Sequence, residues 1–282
     1  MESQRLFKRT FSFEFFPPQT PAGVEKLRIT RQQLAQFNPK FFSVTFGAGG
    51  STQNRTFETV LEIQDEGYAE AAPHLSCIGS TSDNIRSQLQ KYSDRGISSL
   101  VALRGDIPSG MAQPGEFRYA VELVEFIRKE FGNTFHIDVA AYPECHPQAK
   151  SSQDDLQNFK RKIEAGANSA ITQYFYNADA YFKFIDACEA ANINIPIIPG
   201  IMPINKFTRL ARFSDACGAE IPRWFRKKME GYGDDSASIR AYGLDVVTDL
   251  CRRLLESGAP GLHFYTMNSS ELTTIIWSRL GL

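Results

Sequence analysis

The chain has 282 residues and a formal net charge of −1. This length suits one large α/β domain, and the nearly neutral charge offers no bulk attraction to nucleic acid or to an anionic membrane. The first residues lack the apolar core of a signal peptide, and no stretch is both long and apolar enough to span a bilayer. We therefore expect small-molecule partners.

The cysteines are scattered, odd in number and without a C-x-x-C pair. Such a pattern is typical of reduced thiols rather than of a disulfide framework. We therefore expect a cytoplasmic protein. The residues are Cys77, Cys145, Cys188, Cys217 and Cys251.

A short β-rich run followed by an amphipathic stretch recurs along the chain. The predicted strands are Thr10–Phe16, Lys40–Thr45, Ala71–Cys77, Ser98–Leu103, His136–Ala141, Ser169–Tyr174, Ile195–Ile201 and Gly261–Thr266. The predicted helices include Pro21–Gln36, Asn54–Asp65, Thr81–Arg95, Glu116–Phe131, Gln153–Ala165, Ala178–Ala191 and Arg240–Glu256. Strand starts recur about every 30 residues, the size of one βαβ unit. The last interval is longer and contains an extra segment, Pro222–Asp235.

Eight such units predict a (β/α)8 TIM barrel, with residues 1–282 as a single domain. The alternative is a doubly wound sheet, which would carry a G-x-G-x-x-G turn after a strand. The nearest approach, Gly47-Ala48-Gly49-Gly50, has the wrong spacing. No low-complexity linker divides the chain.

One carboxylate interrupts the apolar run Phe11–Phe16, which Pro17-Pro18 then closes. Alternation along a strand separates Glu14 from the phenylalanines on the opposite face. Burial disfavours the charged form of a carboxyl group, so we expect the pKa of Glu14 to be raised, as in a general acid. A structural ion pair with an unseen arginine is the ordinary alternative.

Polar residues recur at the carboxyl ends of the predicted strands, where barrel enzymes build their active sites. Each has an ordinary explanation on its own, as a loop cap or a hydrogen-bonded histidine. Their coincidence at one rim predicts a functional site. The residues are Glu14, Thr45, His74, Arg104-Gly105-Asp106, Tyr142, His146, Gln173, Tyr265 and Thr266.

Two kinds of site fit this set of residues poorly. A metal hydrolase could use His74, His146 and His263 with Asp106, but no H-x-H or H-E-x-x-H pair is present. A Schiff-base aldolase needs a lysine at a strand end, where Gln173 stands instead. A bound cofactor is a third possibility, since Asp155, Asn158 and Lys162 share one helix face with Arg161 beside them. Carboxylate and amide can hold sugar hydroxyls while lysine neutralises a phosphate, with help from Arg104.

Several motifs, in order along nearly the whole chain, resemble methylenetetrahydrofolate reductases, the FAD-dependent barrel enzymes of one-carbon metabolism. They are SFEFFPP, VTFGAGGST, AAPHLSCI, VALRGD, AAYPECHPQAKS, AGANSAITQYFY, IIPGIMP and HFYTMN. SFEFFPP, AAYPE-x-HP and ITQ-x-F are the most specific. The sequence ends at Leu282, soon after the last predicted strand, so we expect the compact bacterial form without a C-terminal regulatory domain.

The resemblance implies a role for each matching position. Glu14 and Asp106 would be catalytic, Glu14 as the general acid of the folate half-reaction and Asp106 beside the flavin and the pterin. Substrate contacts would come from Glu14, Thr45, Asp106, Gln173, Arg209 and Phe213, with Phe213 moving to cover either ligand. FAD contacts would come from Thr45, His74, Arg104, Gly105, Asp106, Ala120, Tyr142, His146, Ala149, Asp155, Asn158, Arg161 and Lys162.

The implied mechanism is ping-pong. NADH or NADPH would pass a hydride to flavin N5 and leave. Protonation at N10 by Glu14 would then open the ring of 5,10-methylenetetrahydrofolate, and the hydride would pass to it, giving 5-methyltetrahydrofolate for methionine synthesis. Family precedent favours NADH and a homo-oligomer.

Two positions depart from the family, and two other functions stay open. Ser269 stands where many relatives have a basic residue, and Arg209 stands where a relative has glutamine. The glutamate end of the folate would therefore be held differently, with Arg209 as the candidate. A flavin-free carbon-carbon lyase and a non-catalytic barrel that binds folate or flavin are the alternatives in another class.

Overall fold

Strands and helices alternate along the chain, as the sequence pattern predicts. The computed structural model describes residues 1–46, 50–106 and 115–282. Gly47, Ala48 and Gly49 of the glycine-rich run lie outside the described residues.

The elements of the described ranges have the following bounds. The strands are β1 (Thr10–Phe15), β2 (Phe41–Val44), β3 (Glu70–Ser76), β4 (Ser99–Leu103), β5 (His136–Ala141), β6 (Ser169–Thr172), β7 (Ile197–Ile198), β8 (Gly200–Ile201) and β9 (Gly261–Tyr265). The helices are α1 (Glu2–Arg5), α2 (Pro21–Ala35), α3 (Gly50–Glu66), α4 (Ser82–Asp94), α5 (Ala120–Phe131), α6 (Ser152–Glu164), α7 (Ala178–Ala190), α8 (Phe207–Cys217), α9 (Arg223–Gly231), α10 (Ser236–Ser257) and α11 (Glu271–Leu280).

The strands belong to one sheet in the order β7-β6-β5-β4-β3-β2-β1-β9-β8. Strand β1 pairs in parallel with β2, β2 with β3, β3 with β4, β4 with β5, and β8 with β9. Sequential parallel strands joined through helices define the (β/α)8 barrel class. The fold-class prediction is therefore confirmed.

The seventh predicted strand, Ile195–Ile201, is divided in the structure. It forms β7 and β8 on either side of Pro199. Proline has no N–H group and interrupts a ladder at its own position, but its carbonyl remains available. Pro199 O accepts a hydrogen bond from His263 N–H at 2.9 Å, so the break still contributes to pairing with β9.

The chain divides into two compact units. The first unit comprises Met1–Thr10, Ala141–Asn158 and Ile171–Leu282, and the second unit comprises Phe11–Ala140 and Phe159–Ala170. The organisation of residues 1–282 as a single domain stays a prediction.

The core of the second unit forms around β1 because its phenylalanines alternate with polar residues. Phe13 and Phe15 are buried, and the ring of Phe42 lies 6.1 Å and 5.3 Å from them. The parallel register sets Glu14 opposite Ser43 on the other face of the sheet. The alternation that separates Glu14 from the aromatic face is therefore present in the structure.

Among the helices of the described ranges, α1, α8, α9 and α11 lie outside the sequence-based predictions. Helix α9 occupies most of the predicted extra segment Pro222–Asp235, and α11 was hidden by its β-branched residues, which favour strands. Helix α5 begins at Ala120 rather than at Glu116. Glu122 Oε2 accepts the N–H groups of Arg118 and Tyr119 at 2.5 Å and 3.2 Å, which fixes the helix start there.

Candidate active site

The carboxylate of β1 lies beside a histidine of β3. Glu14 Oε2 is 3.3 Å from His74 Nε2, and the two side chains are 17% and 9% exposed. The distance is within ion-pair range, although Nε2 has no hydrogen-bond partner among the described residues. A carboxyl group and an imidazole are the two side-chain types that most often serve as general acids and bases in enzymes.

The turn after β4 leaves little room for a side chain at Gly105. Arg104 O accepts hydrogen bonds from Ile78 N–H and from Ser76 Oγ–H, each at 2.9 Å. Gly105 has a φ of +84°, and a Cβ added there would lie 1.9 Å from Ser76 Oγ. Asp106 follows with an exposed side chain. These hydrogen bonds fix the turn, which exposes the Gly105 backbone and the carboxylate of Asp106.

Thr45 and Ala120 are both held at the ends of regular elements. Thr45 N–H donates to Phe15 O at 2.9 Å, and its carbonyl accepts from Thr56 Oγ at 3.1 Å. Ala120 is the first residue of α5. Their predicted contacts with ligands would therefore come from fixed backbone positions.

The cationic residues near the end of α6 have different surroundings. Lys162 Nζ donates to Ala140 O at 2.5 Å and lies 5.5 Å from the centroid of the Phe159 ring. Arg161 is exposed. An ammonium group has three donors, so Lys162 can hold a carbonyl and a phosphate oxygen together.

In the first unit, Tyr142, His146 and Asp155 form a connected cluster. The Tyr142 and His146 rings meet edge to face with centroids 4.5 Å apart, and His146 N–H donates to Asp155 Oδ2 at 2.8 Å. Gln148 N–H donates to His146 Nδ1 at 3.0 Å, which leaves the imidazole proton on Nε2 in the neutral form. The strand-five loop therefore presents a ring whose tautomer is fixed.

The predicted polar helix face is present in α6. Asp155, Asn158 and Lys162 all lie in this helix, and their spacing places them on one side. Ala149 N–H donates to His146 O at 2.9 Å, which ties the preceding loop to the same cluster. Asp155 is already engaged by the His146 backbone, a role that spacing alone did not predict.

Gln173 directly follows β6, in a densely hydrogen-bonded part of the first unit. Its Oε1 accepts from Tyr174 N–H at 3.0 Å, and its own N–H donates to Ala141 O at 2.8 Å. The preceding residue, Thr172, accepts from Tyr265 Oη–H at 2.7 Å through its carbonyl. These contacts hold the backbone of Gln173 in place.

Arg209 and Phe213 lie one turn apart in α8. The guanidinium carbon of Arg209 is 5.3 Å from the centroid of the Phe213 ring, and the ring is 39% exposed. A cation over an aromatic face is a favourable contact that also aligns the two side chains. The two predicted substrate contacts of this helix are therefore brought together.

Two further residues near these positions were not predicted. Glu144 and Tyr174 line a small cavity together with Tyr142, Pro143, Cys145, Gln173, Cys217, Gly218 and Ala219. Burial raises the pKa of Glu144 to about 6. The hydrogen bond from Glu220 N–H lowers this pKa, whereas the negative charge of the Glu220 carboxylate raises it further. The sequence signal that could have identified Glu144 is its place between Tyr142 and His146 in AAYPECHP.

Other properties of the described residues bear on the class of site. Within these ranges, no group of three or more His, Cys, Asp or Glu side chains is arranged to hold a metal ion. The search of the described helices found none whose length and apolarity would allow a membrane crossing. All five cysteines are free thiols.

The sequence matches a known family over almost its whole length. The family model described as methylenetetrahydrofolate reductase matches residues 2–281. The chain is 42% identical over 270 residues to the 5,10-methylenetetrahydrofolate reductase of Escherichia coli, which covers 96% of this chain and 90% of that relative. It is 38% identical to methylenetetrahydrofolate reductase (NADH) 1 of Arabidopsis thaliana, over 96% of this chain and 48% of the plant protein.

A solved structure supports the fold independently of close sequence similarity. An uncharacterized protein from Clostridium thermocellum, described as binding two copies of 5-methyl-5,6,7,8-tetrahydrofolic acid, superposes with a TM-score of 0.67 at 16% identity. The match covers 99% of this chain and 96% of that one. The family match over residues 2–281 and the identity with the Escherichia coli enzyme lead to one conclusion: the chain belongs to the methylenetetrahydrofolate reductase family of enzymes.

Proposed function

We propose that the chain reduces 5,10-methylenetetrahydrofolate to 5-methyltetrahydrofolate with FAD as the hydride carrier and NADH or NADPH as the reductant. The reaction follows from membership of the family, whereas the cofactor, the reductant and the roles of individual residues are what we propose. The observation that carries it is the pairing of Glu14 Oε2 with His74 Nε2 at 3.3 Å in a largely buried position. An acid is needed there because ring opening of the substrate requires a proton.

The chemistry of the side chains supports FAD as the cofactor. Asp155 and Asn158 can bond ribityl hydroxyls, and the cations Arg104, Arg161 and Lys162 can neutralise a diphosphate. Gly105 has no side chain, so a ligand can approach the backbone of this turn closely. FAD, when bound, accepts a hydride from the reduced nicotinamide and later supplies it to the folate.

The protein itself would supply placement, a proton and an electrostatic field. His146 can donate from Nε2, since its Nδ1 accepts from Gln148 N–H. The Asp106 carboxylate can accept hydrogen bonds from donor groups of a pterin, and its negative charge favours loss of a hydride from a neighbouring reduced cofactor. Both roles depend on the solvent-facing position of Asp106 at the end of the strand-four turn.

Glu14 would act in the second half of the reaction only. In its protonated form it would deliver a proton to N10 of 5,10-methylenetetrahydrofolate, which opens the five-membered ring. His74 would hold the carboxyl group in place at 3.3 Å. Oxidation of the reduced nicotinamide needs no such proton, so Glu14 should be dispensable for the first half.

Gln173, Phe213 and Arg209 would contact the exchanging ligands. Thr45, which follows β2, would also contact a ligand. Arg209 is a cation where a relative has glutamine, and Ser269 is neutral where relatives have a basic residue. We therefore assign Arg209 to the carboxylates of the folate tail.

The visible spectrum of the purified protein tests the cofactor. We expect a yellow protein, or one that becomes yellow and stays so through desalting when FAD is added. A protein that remains colourless would contradict the proposal and favour a flavin-free lyase.

Anaerobic mixing separates an enzyme from a protein that only binds flavin. NADH should bleach the yellow colour, and 5,10-methylenetetrahydrofolate should restore it. A yellow protein that neither ligand changes would be a non-catalytic binder.

We also propose a cellular location and an assembly state for the enzyme. We place the enzyme in the cytoplasm, in keeping with five free thiols. We also propose a homo-oligomer, on family precedent, which sedimentation velocity would test by the mass of the particle.

A further inference from the structure

Helix α8 has one side for ligands and one side for anchoring. Arg209 and Phe213 are exposed, whereas Leu210 and Ser214, each one position further along, are buried. The spacing of four residues within each pair places it on one side of the helix. The positions of Arg209 and Phe213 therefore depend on the contacts made by the buried side of α8.

Tyr174 holds the last turn of this helix through a single hydroxyl group. Its Oη is 3.1 Å from Ser214 Oγ and 3.4 Å from Cys217 Sγ. Burial raises the pKa of Tyr174 well above its usual value, so the hydroxyl stays protonated at any working pH. Tyr174 directly follows Gln173, so the anchor and a predicted ligand contact share one short segment.

Glu144 holds the segment that follows the helix. Its Oε2 accepts from Glu220 N–H at 2.7 Å, and its Oε1 is buried without a hydrogen-bond partner among the described residues. Gly218 directly follows α8, and a Cβ added there would lie 3.3 Å from the ring of Pro147 in the same strand-five loop. The loop that carries Tyr142 and His146 is thereby joined to the end of α8.

The surroundings of Glu144 make its charge costly. The cavity that Glu144 lines also includes Tyr142, Cys145, Gln173, Tyr174 and Cys217, none of which carries a positive charge. Burial raises the pKa of Glu144 to about 6. The nearby Glu220 carboxylate has the same charge as Glu144 and raises its pKa further. A costly carboxylate next to ligand-binding segments is a feature that proteins keep for function rather than for stability.

We propose that Glu144 and Tyr174 are positioning residues, which hold α8 so that Phe213 and Arg209 meet the bound ligand. The role rests on the proposed function, in which these two side chains contact NADH or the folate. Tyr174 provides an anchor that does not depend on pH. Glu144 provides one that weakens on protonation, because a neutral acid is a poorer acceptor than a carboxylate.

The first test is Tyr174→Phe, with Tyr181→Phe as its matched control. Tyr181 is also buried in the first unit, and its hydroxyl donates to Ile197 O at 2.6 Å, away from α8. Loss of the Tyr174 hydroxyl should raise KM for NADH and for 5,10-methylenetetrahydrofolate roughly fivefold, the loss expected for one hydrogen bond. Hydrogen exchange of residues 210–222 should quicken in Tyr174→Phe and not in Tyr181→Phe.

The second test uses the charge of Glu144. In the wild type, KM for NADH in the flavin-reduction step should rise as pH falls through about 6, the value to which burial raises the pKa of Glu144. In Glu144→Gln, which keeps an acceptor for Glu220 N–H but cannot titrate, this rise should be absent. Glu144→Ala should have the high KM at every pH.

The outcomes separate this role from the proposed function. Faster exchange in Tyr174→Phe with unchanged KM, or equal behaviour of Tyr174→Phe and Tyr181→Phe, would overturn the positioning role. A pH-dependent KM retained in Glu144→Gln would overturn its charge-dependent part. A wild-type protein without turnover would refute the proposed function and the contact of α8 with its ligands. Hydrogen exchange of Tyr174→Phe would still show whether Tyr174 anchors α8.

Discussion

Gly105 stands at a position that strongly favours glycine. Its φ of +84° disfavours side chains, and an added Cβ would meet Ser76 Oγ at 1.9 Å. Gly96 offers a matched control, since its φ is +71° but an added Cβ meets nothing within 4 Å.

We expect Gly105→Ala to weaken FAD binding at least tenfold, because Ser76 and the strand-four turn must shift. Gly96→Ala should cost about 1 kcal/mol of stability, as expected for backbone strain alone, and leave FAD binding unchanged. Flavin titration and urea unfolding of both variants provide the measurements. Equal flavin affinity in the two would show that the close approach at Gly105 has no bearing on the cofactor.

Glu144 should reduce stability in the pH range in which it is charged. Its folded pKa of about 6 lies above the usual value of 4.5, so its favourable contribution is present below pH 4.5 and is lost as pH rises through 6. Glu144→Gln should therefore be more stable than the wild type at pH 8, by about 1 kcal/mol once solvent screening is allowed for.

Urea unfolding at pH 8 and at pH 4.5 measures this effect, with the difference expected to vanish at the lower pH. Glu164→Gln, which changes a 62% exposed carboxylate, is the control and should alter stability at neither pH. A less stable Glu144→Gln at pH 8 would mean that the hydrogen bond to Glu220 outweighs burial.

At the scale of secondary-structure elements, a buried arginine joins α2 to α3. Arg31 is 1% exposed, and its guanidinium donates to Glu62 at 2.7 Å and to Glu66 at 2.6 Å and 2.9 Å. Arg28 is 49% exposed and donates to the same Glu62 oxygen. The two arginines thus share one partner in very different surroundings.

Arg31→Met should lower the free energy of unfolding by about 3 kcal/mol, because it leaves two carboxylates without their buried partner. Arg28→Met should have little effect, and high salt should remove even that, since exposed pairs are screened. Chemical denaturation of both variants at low and high salt is the measurement. Similar losses in the two variants would show that the burial of Arg31 is not what matters.

At the scale of the whole molecule, the alternation of strands and helices predicted the fold class, because hydrophobic period and spacing are local properties of the sequence. The family was likewise predictable from the sequence, because specific motifs such as SFEFFPP and AAYPE-x-HP occur along the chain in the family's order. The interruption of the seventh strand at Pro199 was harder to predict, because it depends on which strands pair with Ile197–Ile198 and with Gly200–Ile201.

Single contacts of the candidate site escaped prediction for a similar reason. The distance of 3.3 Å between Glu14 and His74, the hydrogen bond from His146 N–H to Asp155 and the anchors of α8 each join residues from different elements. Spacing along the chain identifies residue types on one face, but it does not say which of them bond to one another. Glu144 was overlooked because its importance lies in burial, which only packing reveals.

Glu14 should serve the folate half-reaction alone, and anaerobic rapid mixing of Glu14→Gln measures the two half-reactions separately. NADH should reduce the bound flavin at nearly the wild-type rate, while reoxidation by 5,10-methylenetetrahydrofolate should slow by a factor on the order of 100 or more, the contribution of a positioned acid. Glu70→Gln, at the exposed start of β3, is the control and should match the wild type in both steps. Equal loss of both half-reactions in Glu14→Gln would contradict the account and make Glu14 a structural or flavin-binding residue.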